Sequence, residues 1–183
     1  MIIGLTGLAG CGKDTIASHL KSRDPYGTTS YAMASPLKKG LSLMLNIPLE
    51  DIEDPKLKNK ENYKFDRSIR YMAQTLGTEW GRNLINENLW TMIAKENIEN
   101  LYELYPTVII TDVRFDNEAA LIKEMDGIVI QVIRADNPYT KYVSTAGVNA
   151  HVSENGLTDD MVDFIVMNNS TVEDLINRVD YFL

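Results

Sequence analysis

Ile2-Ile3-Gly4-Leu5-Thr6 runs directly into Gly7-Leu8-Ala9-Gly10-Cys11-Gly12-Lys13-Asp14-Thr15, and that junction constrains the fold more than any other stretch of the chain. The short apolar run reads as a buried strand. Glycines at such spacing let backbone N–H groups turn inward around an anion without Cβ clashes. The helix expected from about Lys13 to Lys21 offers its N-terminus to that anion. The Lys13 ammonium can reach the outer oxygens of a bound phosphate chain and offset their charge. A strand, a tight turn and a helix without a ligand would not need the full spacing, so the motif reads as a phosphate loop. A small buried filler is the expected role of the Cys11 side chain.

The chain has 183 residues, 44% hydrophobic and 24% charged, which suits one ordinary domain and excludes a disordered or collagen-like chain. No apolar run reaches the roughly 17–25 residues that span a bilayer, and the N-terminal stretch lacks a basic n-region. With a single cysteine there is no internal disulfide. The expectation is a reduced, cytoplasmic protein with no membrane partner. The net charge of −8 disfavours a duplex nucleic-acid partner. Yet residues 56–82 hold seven bases (Lys56, Lys58, Lys60, Lys64, Arg67, Arg70 and Arg82) against Glu61, Asp66 and Glu79. Local positive charge in an acidic chain points to a small anionic ligand, with a solvated loop as the alternative for 56–64.

Further strands are expected at Thr28–Met33, Thr107–Thr111, Ile128–Ile133 and Asp163–Val166. Ser35 and Pro36 read as the cap and first residue of a helix. Residues 46–66 read as a long loop with at most a turn of helix. Ile69, Met72, Ala73 and Leu76 mark a helix that Gly77 interrupts, with a second helical stretch at Glu79–Asn86. Leu89–Leu104 and Phe115–Met125 read as helices, and Ser170-x-x-Glu173 as a capping box opening the last one. Strands alternating with helices predict an α/β fold with a mostly parallel central sheet flanked by helices. Ligands in such folds lie outside the carboxyl ends of the strands.

The second cluster, Val108-Ile109-Ile110-Thr111-Asp112-Val113-Arg114-Phe115-Asp116-Asn117-Glu118, lies at such an end. An acidic residue closing an apolar strand suits the metal side of a phosphate-loop enzyme. A guanidinium beside it can bind phosphate in a bidentate way. A guanine-reading Asn-Lys-x-Asp motif is not found, because Asn59-Lys60-Glu61-Asn62 fails at its fourth position.

Thr111-Asp112-Val113-Arg114-Phe115-x-Asn117-Glu118-Ala119 and Gly12-Lys13-Asp14-Thr15 together resemble the hallmark stretches of phage-type deoxynucleoside monophosphate kinases. Ala34-Ser35-Pro36-Leu37-Lys38 is similar to that family's Ala-Asp-Pro-Leu-Lys, with Ser35 where Asp is common. Arg70-x-x-x-Gln74-x-Leu76-Gly77-Thr78-Glu79-Trp80-Gly81-Arg82 with Asn88-x-Trp90 is similar to its acceptor-side helices. His151-x-Ser153-Glu154 and Asp163-Phe164-Ile165-Val166-x-Asn168 resemble its C-terminal part. Asp14 stands where phosphate loops usually carry Ser or Thr, and the family carries Asp there. Lys56 to Lys64 matches nothing in it.

The resemblance implies a three-layer P-loop kinase fold that transfers the γ-phosphate of ATP to a deoxynucleoside monophosphate with Mg²⁺, in the host cytoplasm if the source is viral. Gly10, Cys11, Gly12, Lys13, Asp14 and Thr15 are then the ATP-binding candidates, with Lys13, Asp14 and Arg114 catalytic. Asp14, Thr15 and Asp112 are the candidate Mg²⁺ ligands, with a place facing the acceptor as the alternative for Asp14. Lys38, Arg70, Gln74, Trp80, Arg114 and Glu118 are the acceptor candidates, Gln74 reading a base edge and Trp80 or Trp90 stacking on it, with core packing as the alternative for both tryptophans. Residues of about 35–105 form the expected acceptor-binding insertion within one domain spanning 1–183. A lid loop of about 134–150 would close with Arg134 and Lys141. A homodimer is compatible with the sequence and does not follow from it. The rival readings are another small-molecule kinase on the same scaffold (dephospho-coenzyme A or phosphomevalonate type), a non-catalytic nucleotide switch, and a nucleic-acid kinase, which the net charge disfavours.

Overall fold

The structure, a computed structural model, describes residues 1–62, 64–136 and 156–183. In chain order its elements are β1 (Ile2–Thr6), α1 (Lys13–Arg23), β2 (Thr28–Tyr31), α2 (Ser35–Leu45), α3 (Leu49–Glu53), β3 (Glu61–Asn62), β4 (Arg67–Ser68) and α4 (Ile69–Thr75). A π-helical segment, Leu76–Ile85, follows, then α5 (Leu89–Leu104), β5 (Thr107–Val113), α6 (Asp116–Glu124), β6 (Ile128–Ile133), a 3₁₀ turn at Asp159–Met161, β7 (Phe164–Met167) and α7 (Val172–Phe182). They form two compact units, Met1–Ala32 with Lys95–Leu183, and Met33–Ala94.

The first unit is built on a five-stranded sheet in the order β2-β5-β1-β6-β7, with every neighbouring pair parallel. Its inner strands β5, β1 and β6 are rich in apolar residues because both of their faces are covered. Ile3, Leu5, Ile109, Ile130 and Val132 are buried with Ile16 and Leu20 of α1 and Leu175 and Val179 of α7. On the opposite face Gly4 leaves room for Ile122 of α6, Val113 and Val129. The result is a three-layer α/β sandwich. Strand β1 sits between β5 and β6, where the strand order reverses, and the crevice outside its carboxyl end is the place where such sheets bind ligands.

Asp163 ties α6 to the start of β6. Its carboxylate accepts from Lys123 Nζ at 2.9 Å and from the Val129 N–H at 2.8 Å. Burial works against its charge, but the Lys123 hydrogen bond, the Val129 N–H and the Lys123 charge together hold its pKa below the ordinary 3.8. A depressed carboxylate contributes stability that is fully present above the unfolded value and is lost as pH falls through the folded one. Asp163→Asn keeps an acceptor for Val129 and removes the ion pair. We expect it to cost about 1 kcal/mol at neutral pH, a melting temperature lower by roughly 2–4 °C. The gap to wild type should begin to narrow as pH falls through the ordinary carboxylate value of 3.8. Melting curves from pH 7 to 3 check this, and a gap that does not narrow at all over that range would refute the ion-pair account.

The second unit has a small core of Leu41, Ile52 and Ile69, with Leu45, Ile47, Met72, Ala73 and Leu76 packed around it. Within the stretch read as a loop, Leu49–Glu53 forms a short helix and Glu61 and Asn62 pair antiparallel with Ser68 and Arg67. The helix break expected at Gly77 does not occur. The chain passes without interruption from α4 into the wider π winding, which runs to Ile85. The cause is tertiary: Trp90 Nε1 donates to the Gly77 carbonyl at 2.7 Å, and a Cβ at Gly81 would lie 2.8 Å from the Trp90 ring. Two caps also shift by one residue. Ala34, not Ser35, precedes the first turn of α2, and α7 is capped by Thr171, whose hydroxyl accepts from Asp174 N at 3.1 Å. The Ser170 hydroxyl is hydrogen-bonded to the same Asp174 carboxylate.

Candidate active site

At the carboxyl end of β1 the loop from Gly7 to Gly12 turns into α1, with Gly12 as the N-cap residue in the left-handed region at φ 115°. Gly7 has φ 130°, and a Cβ there would lie 2.3 Å from the Val132 carbonyl oxygen of β6. A Cβ on Gly12 would lie 2.7 Å from Asn168 Nδ2. Both glycines are therefore demanded by backbone conformation and by close approach of neighbouring strand ends. Asn168 follows β7; its Nδ2 donates to the Cys11 carbonyl at 2.8 Å, and its own N–H bonds the Ile133 carbonyl at 2.7 Å. The sequence places Asn168 in the stretch that resembles the family's C-terminal part but gives it no role, because its partner lies 157 residues away.

The Cys11 side chain is buried in the core beneath the loop at 1% exposure, as a filler. Only its backbone is left for a ligand. Lys13 reaches back over the loop, Nζ donating to the Gly7 carbonyl at 2.6 Å and the Leu8 carbonyl at 2.9 Å. The ammonium thus stands over the loop, held by carbonyls that a phosphate would replace. Asp14 is exposed and Thr15 half-buried in the first turn of α1.

One strand over, β5 runs two residues past the expected Thr111, so Asp112 lies inside the strand and not at a helix cap. The β1–β5 register takes two steps on β1, from Gly4 to Thr6, against three on β5, from Ile110 to Val113. This irregularity falls within Thr111–Asp112, the kind of feature that re-aims a side chain beside a site. Arg114, just beyond the strand, is exposed, and its guanidinium has no partner among the described residues. Glu118, expected to bind the acceptor, is turned inward at 4% exposure. Its Oε2 accepts from the Arg114 N–H at 2.8 Å and the Phe115 N–H at 3.3 Å. That is the reach-back half of a capping box, made by the third residue of α6, and it fixes the backbone that carries Arg114. Arg134 is exposed at the end of β6; Lys141, His151, Glu154 and most of the expected lid lie outside the described residues.

The second unit carries the remaining candidates. Lys38 Nζ lies 3.3 Å from Glu53 Oε1, an open pair of small worth that a stronger anion can displace. Arg70 is exposed, its N–H bonded to the Lys58 carbonyl at 2.8 Å. Gln74 is half-buried on α4. The two tryptophans separate: Trp90 is 9% exposed and structural, whereas Trp80, in the π segment, is 45% exposed. An exposed indole on a π winding is a feature more usual at functional sites than in cores.

Asp14 and Thr15 on α1 and Asp112 on β5 carry only oxygen donors, a hard set of the kind that suits Mg²⁺ held together with phosphates. Sheet order, loop and lysine define a phosphate-loop kinase fold. The crystal structure of TT1252 from Thermus thermophilus shares that fold, with a TM-score of 0.51 at 15% identity over 100% of this chain and 95% of that one. Residues 47–179 match the model of the deoxynucleotide monophosphate kinase family, and the chain belongs to that family. A protein of Acanthamoeba polyphaga mimivirus, provisionally named deoxynucleotide monophosphate kinase, is 29% identical over 98% of this chain and 94% of its own length. The deoxynucleoside-5′-monophosphate kinase of Escherichia phage T5 is 37% identical over 45% of this chain and 35% of its own.

Proposed function

We propose that the protein transfers the γ-phosphoryl group of ATP to a deoxynucleoside monophosphate, giving ADP and the deoxynucleoside diphosphate. The observation that carries this reading is the phosphate loop, with Lys13 lodged over it, beside a strand end that presents Asp112 and the exposed Arg114. An acceptor phosphate oxygen attacks the γ-phosphorus in line, and the ADP oxygen leaves with the electron pair of the broken bond. The acceptor is already an anion, so no strong base is needed. Positioning and charge neutralisation supply the rate.

The roles follow from the placements. Backbone N–H groups of the 10–15 segment and the start of α1 take the ATP phosphates, and Lys13 follows the γ-phosphate. Asp14, Thr15 and Asp112 would hold Mg²⁺, whose chemistry when bound is to offset charge on the phosphate oxygens. Arg114 engages the transferring or acceptor phosphate from the sheet edge, and Glu118 keeps it in place from behind. Lys38 and Arg70 supply cations for the acceptor phosphate. Gln74 reads the base and Trp80 stacks on it, which makes the 35–105 region the acceptor-binding part. Arg134, exposed just past β6, is a further cation for the phosphates.

The test is ADP release from ATP and Mg²⁺ with dTMP, dGMP, dCMP, dAMP, their ribose counterparts, or no acceptor. Turnover with a subset of the deoxynucleotides is expected. ATP binding without turnover on any nucleotide would transfer the reading to a kinase for another small molecule or to a nucleotide-binding switch.

A further inference from the structure

Tyr31 closes β2, and its role is absent from the scheme above. The strand pairs with β5 in register, Tyr31 opposite Ile110, which places the tyrosine two residues short of Asp112 on the neighbouring strand. Its ring is half-buried, but its hydroxyl is shut off from water and has no hydrogen-bond partner among the described residues. Asn97 of α5 comes near without forming a hydrogen bond of ordinary geometry. Burial first, then the nearby Asp112 carboxylate, push the phenol up to about 12, against a smaller opposing pull from Asn97. It therefore remains a donor at any working pH.

A buried hydroxyl without a partner costs stability that a phenylalanine of the same shape would not. The cost at this position makes sense if the hydroxyl finds an acceptor in another state of the protein. The anionic acceptor on the adjoining strand is Asp112, and the β5 bulge gives that stretch an irregular backbone that can re-aim the carboxylate. Asp112 has interactions of its own in the free protein. Its arrangement must change once phosphates and their counter-charge arrive at the strand end.

We propose that Tyr31 is a positioning residue for Asp112: in the nucleotide-bound state its phenol donates to the Asp112 carboxylate and holds that group toward the phosphates. The proposal rests on the phosphate-transfer reading and adds to it a residue that needs no contact with substrate.

A double-mutant cycle tests it, with wild type, Tyr31→Phe, Asp112→Asn and the double variant, and Asp112→Ala in place of Asn should that protein not fold. Melting temperature is read without ligand and with Mg²⁺ and ATP, and turnover is read with the deoxynucleotide panel. Tyr31→Phe should melt at or above wild type without ligand, gain less from Mg²⁺ and ATP, and lose about ten- to a hundredfold in turnover, the range for a hydrogen bond to a charged group. On an Asp112-lacking background, the same substitution should change neither the ligand-induced gain nor the rate. A Tyr31→Phe protein that melts well below wild type when free would mark a purely structural tyrosine and overturn the proposal. So would an equal loss with and without Asp112. Should wild type transfer phosphate to none of the panel, the reaction assignment falls, while the melting half of the cycle still decides between Tyr31 as a partner of Asp112 and Tyr31 as filler.

Discussion

Lys13→Ala will fold and will not transfer phosphate at a useful rate. The ammonium is the charge that the structure lodges over the phosphate loop. Removing a preorganised charge from a transition state that spreads negative charge over three oxygens costs about a hundred- to a thousandfold in rate. The effect on stability is much smaller. Nζ makes two hydrogen bonds to loop carbonyls, and deleting them costs about 1–2 kcal/mol. Steady-state turnover and a melting curve on the same preparation separate the two effects. Near-normal turnover in a folded variant would remove the phosphate loop from the mechanism.

The second large effect is expected at Arg114. Its guanidinium is exposed beyond the end of β5, and the backbone beneath it is fixed by the buried Glu118 carboxylate. Arg114→Ala takes away a group that can grip phosphate oxygens through two N–H donors, and it leaves the phosphate loop untouched. Turnover should fall about a hundredfold while ATP affinity changes by less than about threefold, because the charge acts on the phosphoryl group in flight and not on the resting nucleotide. Lys at this position restores the charge without the fork and should recover only part of the loss. Equilibrium binding of ATP beside steady-state rates gives both numbers. An unchanged rate would leave Arg114 as a surface residue.

What could be read from the sequence was whatever local chemistry determines. An apolar pentapeptide followed by three glycines and a lysine has few ways to fold, and β1, the loop and α1 lie where that pattern puts them. The alternation of apolar strands with amphipathic helices likewise predicts the parallel sheet. The features that escaped are those made by distant partners. Gly77 reads as a helix breaker until Trp90 is seen to hold its carbonyl, and the π winding is then the geometry that satisfies the contact. Ser170 and Thr171 are adjacent hydroxyls with acids three residues on, so composition cannot say which one caps α7. Glu118 reads as a functional acid because it lies in an acidic, basic and aromatic cluster. Its capping of the Arg114 and Phe115 N–H groups appears only when the turn is built. Asn168 and Tyr31 approach the site from strands far away in sequence, where no spacing rule can find them.

The dependence of the loop on Val132 and Asn168 also sets the order in which a growing chain can become competent. A ribosome delivers the phosphate loop before its supports: the strand that wedges Gly7 emerges more than a hundred residues later, and the amide that holds Cys11 later still. Loop-closure entropy on that scale is paid before the contacts reward it, so such pairings form late. Nascent chains halted before residue 168 should carry the whole glycine-lysine motif and still fail to retain nucleotide, and competence should arrive abruptly once β7 and the residue after it have joined the sheet. The phosphate loop is thus made well before the strands on which its shape depends.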